Sequence, residues 1–197
     1  MGMKPRVIAT KVVRRPADLR YADPELFLSL TEGERADALR LMTEEKKLST
    51  MAKVGRYRVV AVEPLVLKPP HERAGHRCAR VIVFDYASDA RVEASVDLDV
   101  SKVFYASSSK AQPMLAPTEE ADAVRIASAS GDVRERLTMG EQAVGVMHYW
   151  SRTPADMSFR RRSAAVLFGV PGNPASVVAV VDLIDGVVMD VVSADRW

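Results

Sequence analysis

The sequence predicts an α+β chain made of two tandem units, each a helix packed on a curved four-stranded antiparallel sheet. Three observations predict this. Helical periodicity gives way to four strand-like runs, and that order then repeats. Val96-Asp97-Leu98 recurs as Val181-Asp182-Leu183, 85 residues later. Between the two halves, Ser107 to Ala116 is polar and ends in Pro113 and Pro117, as a linker does. The units so divided are an N-terminal arm over 1–29, a first unit over 30–108 and a second over 109–197.

Within the arm, Val7 to Val13 has strand character, ended by Arg14, Arg15 and Pro16. Thr31 to about Ser49 reads as the first helix. Thr31 and Glu34 have the spacing of a capping box, and Ala38, Leu39, Leu41, Met42 and Leu48 give an apolar face. Tyr57 to Leu67 is β-branched and apolar, with Pro64 placing it at a sheet edge or forcing a bend. A proline-rich loop leads into Cys78 to Tyr86. Val92 to Leu98 alternates apolar and polar residues with the period of a half-buried strand. Val103 to Ser107 is its partner.

In the second unit Thr118 is expected to cap a helix with Glu119 and Glu120 in its first turn. Ala123, Ile126 and Ala127 line one face, and Gly131-Asp132 breaks it. Four strands follow: Glu141 to Trp150, Ala164 to Phe168, Ala175 to Leu183 and Gly186 to Val192. Asp185-Gly186 is a hairpin signal for the last pair. Phe84 and Phe168 are expected to correspond at a shift of 84, and Thr31 and Thr118 at 87, with one extra residue in the second hairpin restoring the register. Val177, Ala179, Val181 and Leu183 would face the helix. Val178, Val180, Val188 and Val192 would form an apolar outer face, which either packs on the other sheet or meets another chain. A cystatin-like unit, present twice, accounts for the pattern.

The totals exclude several classes. A net charge of +2 gives no field for nucleic acid, and no run is long enough for a membrane span. One cysteine, Cys78, allows no internal disulfide. A cytoplasmic protein follows as the expectation, with no cofactor implied.

The candidate sites each compete with a structural role. His71, His76 and Cys78 offer imidazole and thiolate to a metal, but their spacing matches no closed site. His148 and Tyr149, in an aromatic run with Trp150, could supply an acid or base in a helix–sheet pocket. Arg160-Arg161-Arg162 could clamp an anion, against the plainer reading of a solvated loop tip. Asp97 and Asp182 both precede hairpins, where aspartate sets turns.

The run Arg80 to Phe84, then Val92 to Leu98, then Pro113-x-Leu115-x-Pro117-Thr118-x-Glu120 and Ala123 to Leu137 resembles the non-catalytic N-terminal domains of copper amine oxidases. Leu30-Thr31-x-x-Glu34 with Tyr57 to Pro64 resembles the start of the first such domain. The resemblance spans roughly residues 26–193, carried by spacing and hydrophobic pattern. The family's quinone forms from a tyrosine after asparagine, and its copper sits on a His-x-His pair. None of the five tyrosines here follows asparagine, and the three histidines form no such pair. Amine oxidation is therefore not carried over. The resemblance implies a stand-alone scaffold of the accessory-domain type, and the two-faced apolar strands point to a non-catalytic binding or assembly protein that pairs with a second copy as a homodimer or with a separate catalytic chain. The alternative is a small cofactor-independent enzyme, of isomerase or cyclase type, or a carrier of a small-molecule ligand.

Overall fold

The computed structural model describes residues 23–46, 48–151 and 153–197. The strand expected over Val7 to Val13 lies outside them. After a 3-10 turn at Pro24–Phe27 come α1 (Glu32–Glu44), α2 (Ser49–Val54), β1 (Tyr57–Leu65), β2 (Cys78–Asp85), β3 (Ala90–Asp97) and β4 (Lys102–Ser109). The second set is α3 (Pro117–Ala129), α4 (Gly131–Arg136), β5 (Gln142–Tyr149), β6 (Ser163–Gly169), β7 (Val177–Asp182) and β8 (Val187–Ser193). The strands form two antiparallel four-stranded sheets, ordered β1-β2-β3-β4 and β5-β6-β7-β8. Each carries its helices on one face, as two tandem helix-on-sheet units.

In the first unit Ala38 and Met42 of α1 are buried against Ala79, Val81, Val83, Val92, Ala94 and Val96. The helix expected to reach Ser49 stops at Glu44, and a separate short helix begins at Ser49. Leu48, between them, is buried in the core. Gly55 closes α2 at φ 69°, a left-handed conformation that costs glycine little. Pro64 lies on β1, an edge strand, where its missing N–H disrupts no central ladder. In the second unit Ala123 and Ala127 of α3 and Val133 of α4 meet Ala164, Val166, Phe168, Val177, Ala179 and Val181.

The repeat is more regular than the sequence suggests. Cys78 pairs with Asp97 and Val83 with Val92; 85 residues on, Ser163 pairs with Asp182 and Phe168 with Val177. Phe168 therefore corresponds to Val83, not Phe84, and the second hairpin needs no extra residue. Phe84 points to the opposite side of β2. The N-cap of α3 is Ala116, with Pro117 at its first position, so Thr118 lies inside the helix and does not cap it. Thr31 thus corresponds to Ala116, again at 85.

Both sheets bend at matching bulges. β3 and β4 slip at Ser95/Val96, and β7 and β8 slip at Val180/Val181. The extra residues on the partner strands are Phe104 and Met189. A bulge reverses which side chains face inward beyond it. This corrects the outer face expected on β8: Val188 pairs with Val181 and packs into the helix-side core. Val178 and Val180 do lie on the outer face, but they are only 1% and 3% exposed and are already covered within the chain. Val192 is half-buried there.

Candidate functional site

Where the two units meet, three segments converge on one buried ion pair. Arg162, at the start of β6, and Glu119, in the first turn of α3, are 0% and 1% exposed. Arg162 Nε donates to Glu119 Oε1 at 2.9 Å and Nη2 to Oε2 at 2.7 Å. The guanidinium also donates to the carbonyls of Pro113 and Met114, tying the linker down. Glu119 Oε2 accepts the Ala116 N–H at 2.7 Å, which is the carboxylate half of a capping box. Ala116 has no side-chain oxygen to return the other half.

The first unit reaches into the same node. Tyr86 donates its hydroxyl to Glu119 Oε1 at 2.5 Å. The Phe84 ring lies 4.7 Å beneath the Arg162 guanidinium, a desolvated cation–π contact. Outside the node, Arg58 of β1 pairs with Asp122 of α3 at 3.1 Å. Burial alone would push the Glu119 carboxyl up, but the hydrogen bond and charge of Arg162 outweigh it and hold it below its ordinary value. Burial and the bond to Glu119 push the Tyr86 phenol far up.

His148 is drawn into this node. Its Nε2 is 3.3 Å from Arg162 Nη1, so the neutral ring accepts from the arginine through that nitrogen. Burial, and then the Arg162 charge, lower its pKa. Tyr149 faces away: its hydroxyl donates to Asp156 at 2.9 Å and its ring lies 4.8 Å from that of Trp197. Neither residue lines the cavity of about 350 Å³ between Arg58, Tyr86, Asp122 and Ile184. Neither lines the cavity of about 710 Å³ beside Trp150 and Phe159. A permanently charged arginine, a phenol pushed up and an imidazole pushed down suit an anchor better than a proton relay.

The other candidates separate. His76 Nδ1 lies 2.7 Å from Asp97 Oδ2, with Asp99 close by, and Arg73 Nε is 3.5 Å from the same oxygen. A guanidinium at that distance already supplies the positive charge a cation would bring. His71 instead accepts the Arg73 N–H and sits edge-on to Phe104. Cys78 is buried, and burial first, then the Asp97 and Asp99 charges, push its thiol up to about 12. These three residues form no common ligand set among the described residues. Asp97 and Asp182 each accept N–H groups of the following turn, from Asp99 in one unit and from Ile184 and Asp185 in the other.

Of the Arg160–Arg162 run, Arg160 is exposed as a loop tip would be, whereas Arg162 is withdrawn from solvent. Arg161 binds Asp182 and Asp185, Arg162 is buried, and Arg160 lies 5.1 Å over the Phe159 ring. Local spacing does not reveal the junction node, because Glu119 and Arg162 are 43 positions apart. The available signal was the recurrence of Glu34 and Arg77 at the same spacing. No described helix is long and apolar enough to cross a membrane.

No protein-family model matches the chain, and no curated protein matches it. Among solved structures it is similar to a copper-containing benzylamine oxidase from Hansenula polymorpha, with a TM-score of 0.52 and 12% sequence identity. The similarity covers 85% of this chain and 30% of the oxidase, so the chain spans under a third of that protein. At that identity the likeness is one of fold: the two helix-on-sheet units have a counterpart within an amine oxidase chain.

Proposed function

We propose that this chain is a non-catalytic binding and assembly module of the kind carried by copper amine oxidases beside their oxidase domain. The observation that carries the reading is the fold likeness, which takes in most of this chain and a minor part of the oxidase. The ionisable groups at the unit junction support it, since Arg162, Glu119, Tyr86 and His148 are spent on one another and on backbone carbonyls.

The partner is a second copy of this chain. Support comes from the two edge strands of the second sheet, whose outer sides carry the apolar Met147 on β5 and Val187 on β8, 45% and 49% exposed. In an isologous contact the same exposed edge residue lies on both partners. Light scattering across about 2 to 200 μM should show mass rising towards that of a dimer. Val187→Glu should hold the chain as a monomer with unchanged circular dichroism. A monomer throughout the range would overturn the dimer.

A further inference from the structure

Beside the Arg162 node, three segments distant in sequence line an open cavity of about 710 Å³. They are the β2–β3 turn at Asp89, the linker at Lys110 and Gln112, and the two ends of the β5–β6 loop, at Trp150 and Ser151 and at Phe159 and Arg160. The volume lies in the range of pockets that hold small ligands. Its lining divides by chemistry, with the rings of Trp150 and Phe159 apolar and Lys110 and Arg160 cationic. Lys110 Nζ is held by the carbonyls of Ser88 and Asp89 at 2.6 and 3.1 Å, which fix the ammonium without neutralising it. Arg160 makes no ion pair among the described residues. Asp89, the acid in the lining, has Gln112 Nε2 at 3.5 Å from its carboxylate. With two cations and one acid, the lining carries one net positive charge.

The backbone adds a separate observation. Three described residues other than glycine have positive φ, and two of them, Asp89 at 48° and Arg160 at 59°, line this cavity. Aspartate tolerates that region well, but arginine does not. Strain of this kind persists where the surroundings hold it, and it concentrates at ligand sites. Here the Arg160 guanidinium lies 5.1 Å over the Phe159 ring, at the edge of the cavity.

We propose that the cavity binds a small aromatic monoanion, its ring against Trp150 and Phe159 and its carboxylate or sulfonate on Lys110 and Arg160. Aromatic faces supply contact area, and the two cations supply charge-assisted hydrogen bonds that a neutral ring cannot use. The proposal is independent of whether the chain dimerises.

The test uses the full chain and 8-anilinonaphthalene-1-sulfonate, followed by probe fluorescence and calorimetry. Expected are saturable one-to-one binding and affinity about tenfold or more weaker for the neutral N-phenyl-1-naphthylamine. Arg160→Gly should lose about tenfold in affinity for the sulfonate while its melting temperature holds or rises, because glycine adopts the same φ without strain. Trp150→Phe should remove most energy transfer from tryptophan to the probe. Absence of saturable binding, equal affinity for the neutral probe, or unchanged affinity in Arg160→Gly would each overturn the proposal. So would a fall in the melting temperature of that variant alongside its lost binding, which would make Arg160 a loop support only.

Discussion

Arg162 and Glu119 make the same two-pronged contact that Arg77 and Glu34 make 85 residues earlier. Nε to Oε1 is 2.9 Å in the second unit and 2.7 Å in the first; Nη2 to Oε2 is 2.7 and 3.1 Å. In both, the glutamate also caps its helix, Glu34 through the Thr31 N–H and Glu119 through the Ala116 N–H. In both, the arginine's spare donors hold the segment entering the helix. Arg77 takes the carbonyls of Glu25, Leu26, Leu28 and Ser29, while Arg162 takes those of Pro113 and Met114. The arginine carbonyl accepts Leu98 N–H in one unit and Leu183 N–H in the other, each at 2.9 Å. One residue thus ties sheet, helix start and incoming chain together.

The two copies differ in burial, and that sets their energetic weight. Arg162 and Glu119 are 0% and 1% exposed, whereas Arg77 and Glu34 are 17% and 28% exposed. Removing one member of a buried pair leaves the other charge uncompensated. Arg162→Ala should therefore cost about 3–5 kcal/mol in urea unfolding. Arg77→Ala should cost about 1–2 kcal/mol, because water can reach the orphaned Glu34. Equal losses would contradict this ranking.

Acid should separate two titrations. The Arg77 hydrogen bond holds the Glu34 carboxyl at about 2, below its ordinary 4.5. A depressed carboxyl stabilises fully above its unfolded value, and that share is lost as pH falls through the folded one. Screening at this partly exposed pair limits the effect to about 1 kcal/mol. Glu34→Gln should flatten the stability curve between about pH 5 and 2. His148 also has a lowered pKa, from burial and then Arg162. The unfolded chain takes up the proton first, so stability falls as pH drops below about 6.5. His148→Gln should remove that upper slope and leave the lower one. A curve unchanged in both variants would refute these assignments.

The bulge at Met189 makes a test of facing direction. Val188 lies on the core side and Val187 on the outer side, 49% exposed. Val188→Asp should destabilise by about 2–4 kcal/mol, since it sets a carboxylate against the apolar core. Val187→Asp should stay within about 0.5 kcal/mol. Reversed costs would mean that the strand runs without a bulge.

Much of the architecture follows from local pattern. Helix and strand order, the Thr31–Glu34 capping box, the edge position of Pro64 and the turn roles of Asp97 and Asp182 are all written in short-range spacing. The amine oxidase resemblance rests on that same pattern, and the fold likeness at 12% identity agrees with it. Local reading failed where a single residue changes register. Hydrophobic alternation carries no mark for an inserted residue, so it places Val188 on the wrong face. Matching Phe84 to Phe168 by type likewise hid the shared 85-residue register.

The sequence by itself determined that there are two units, each a helix on an antiparallel sheet, because periodicity and turn chemistry act over a few residues. Only the tertiary structure decided that Arg162, Glu119, Tyr86 and His148 share one buried node, and that Asp89, Lys110 and Trp150 share one cavity. Charge pairing and enclosure depend on distances through space between segments tens of residues apart, which spacing along the chain does not encode.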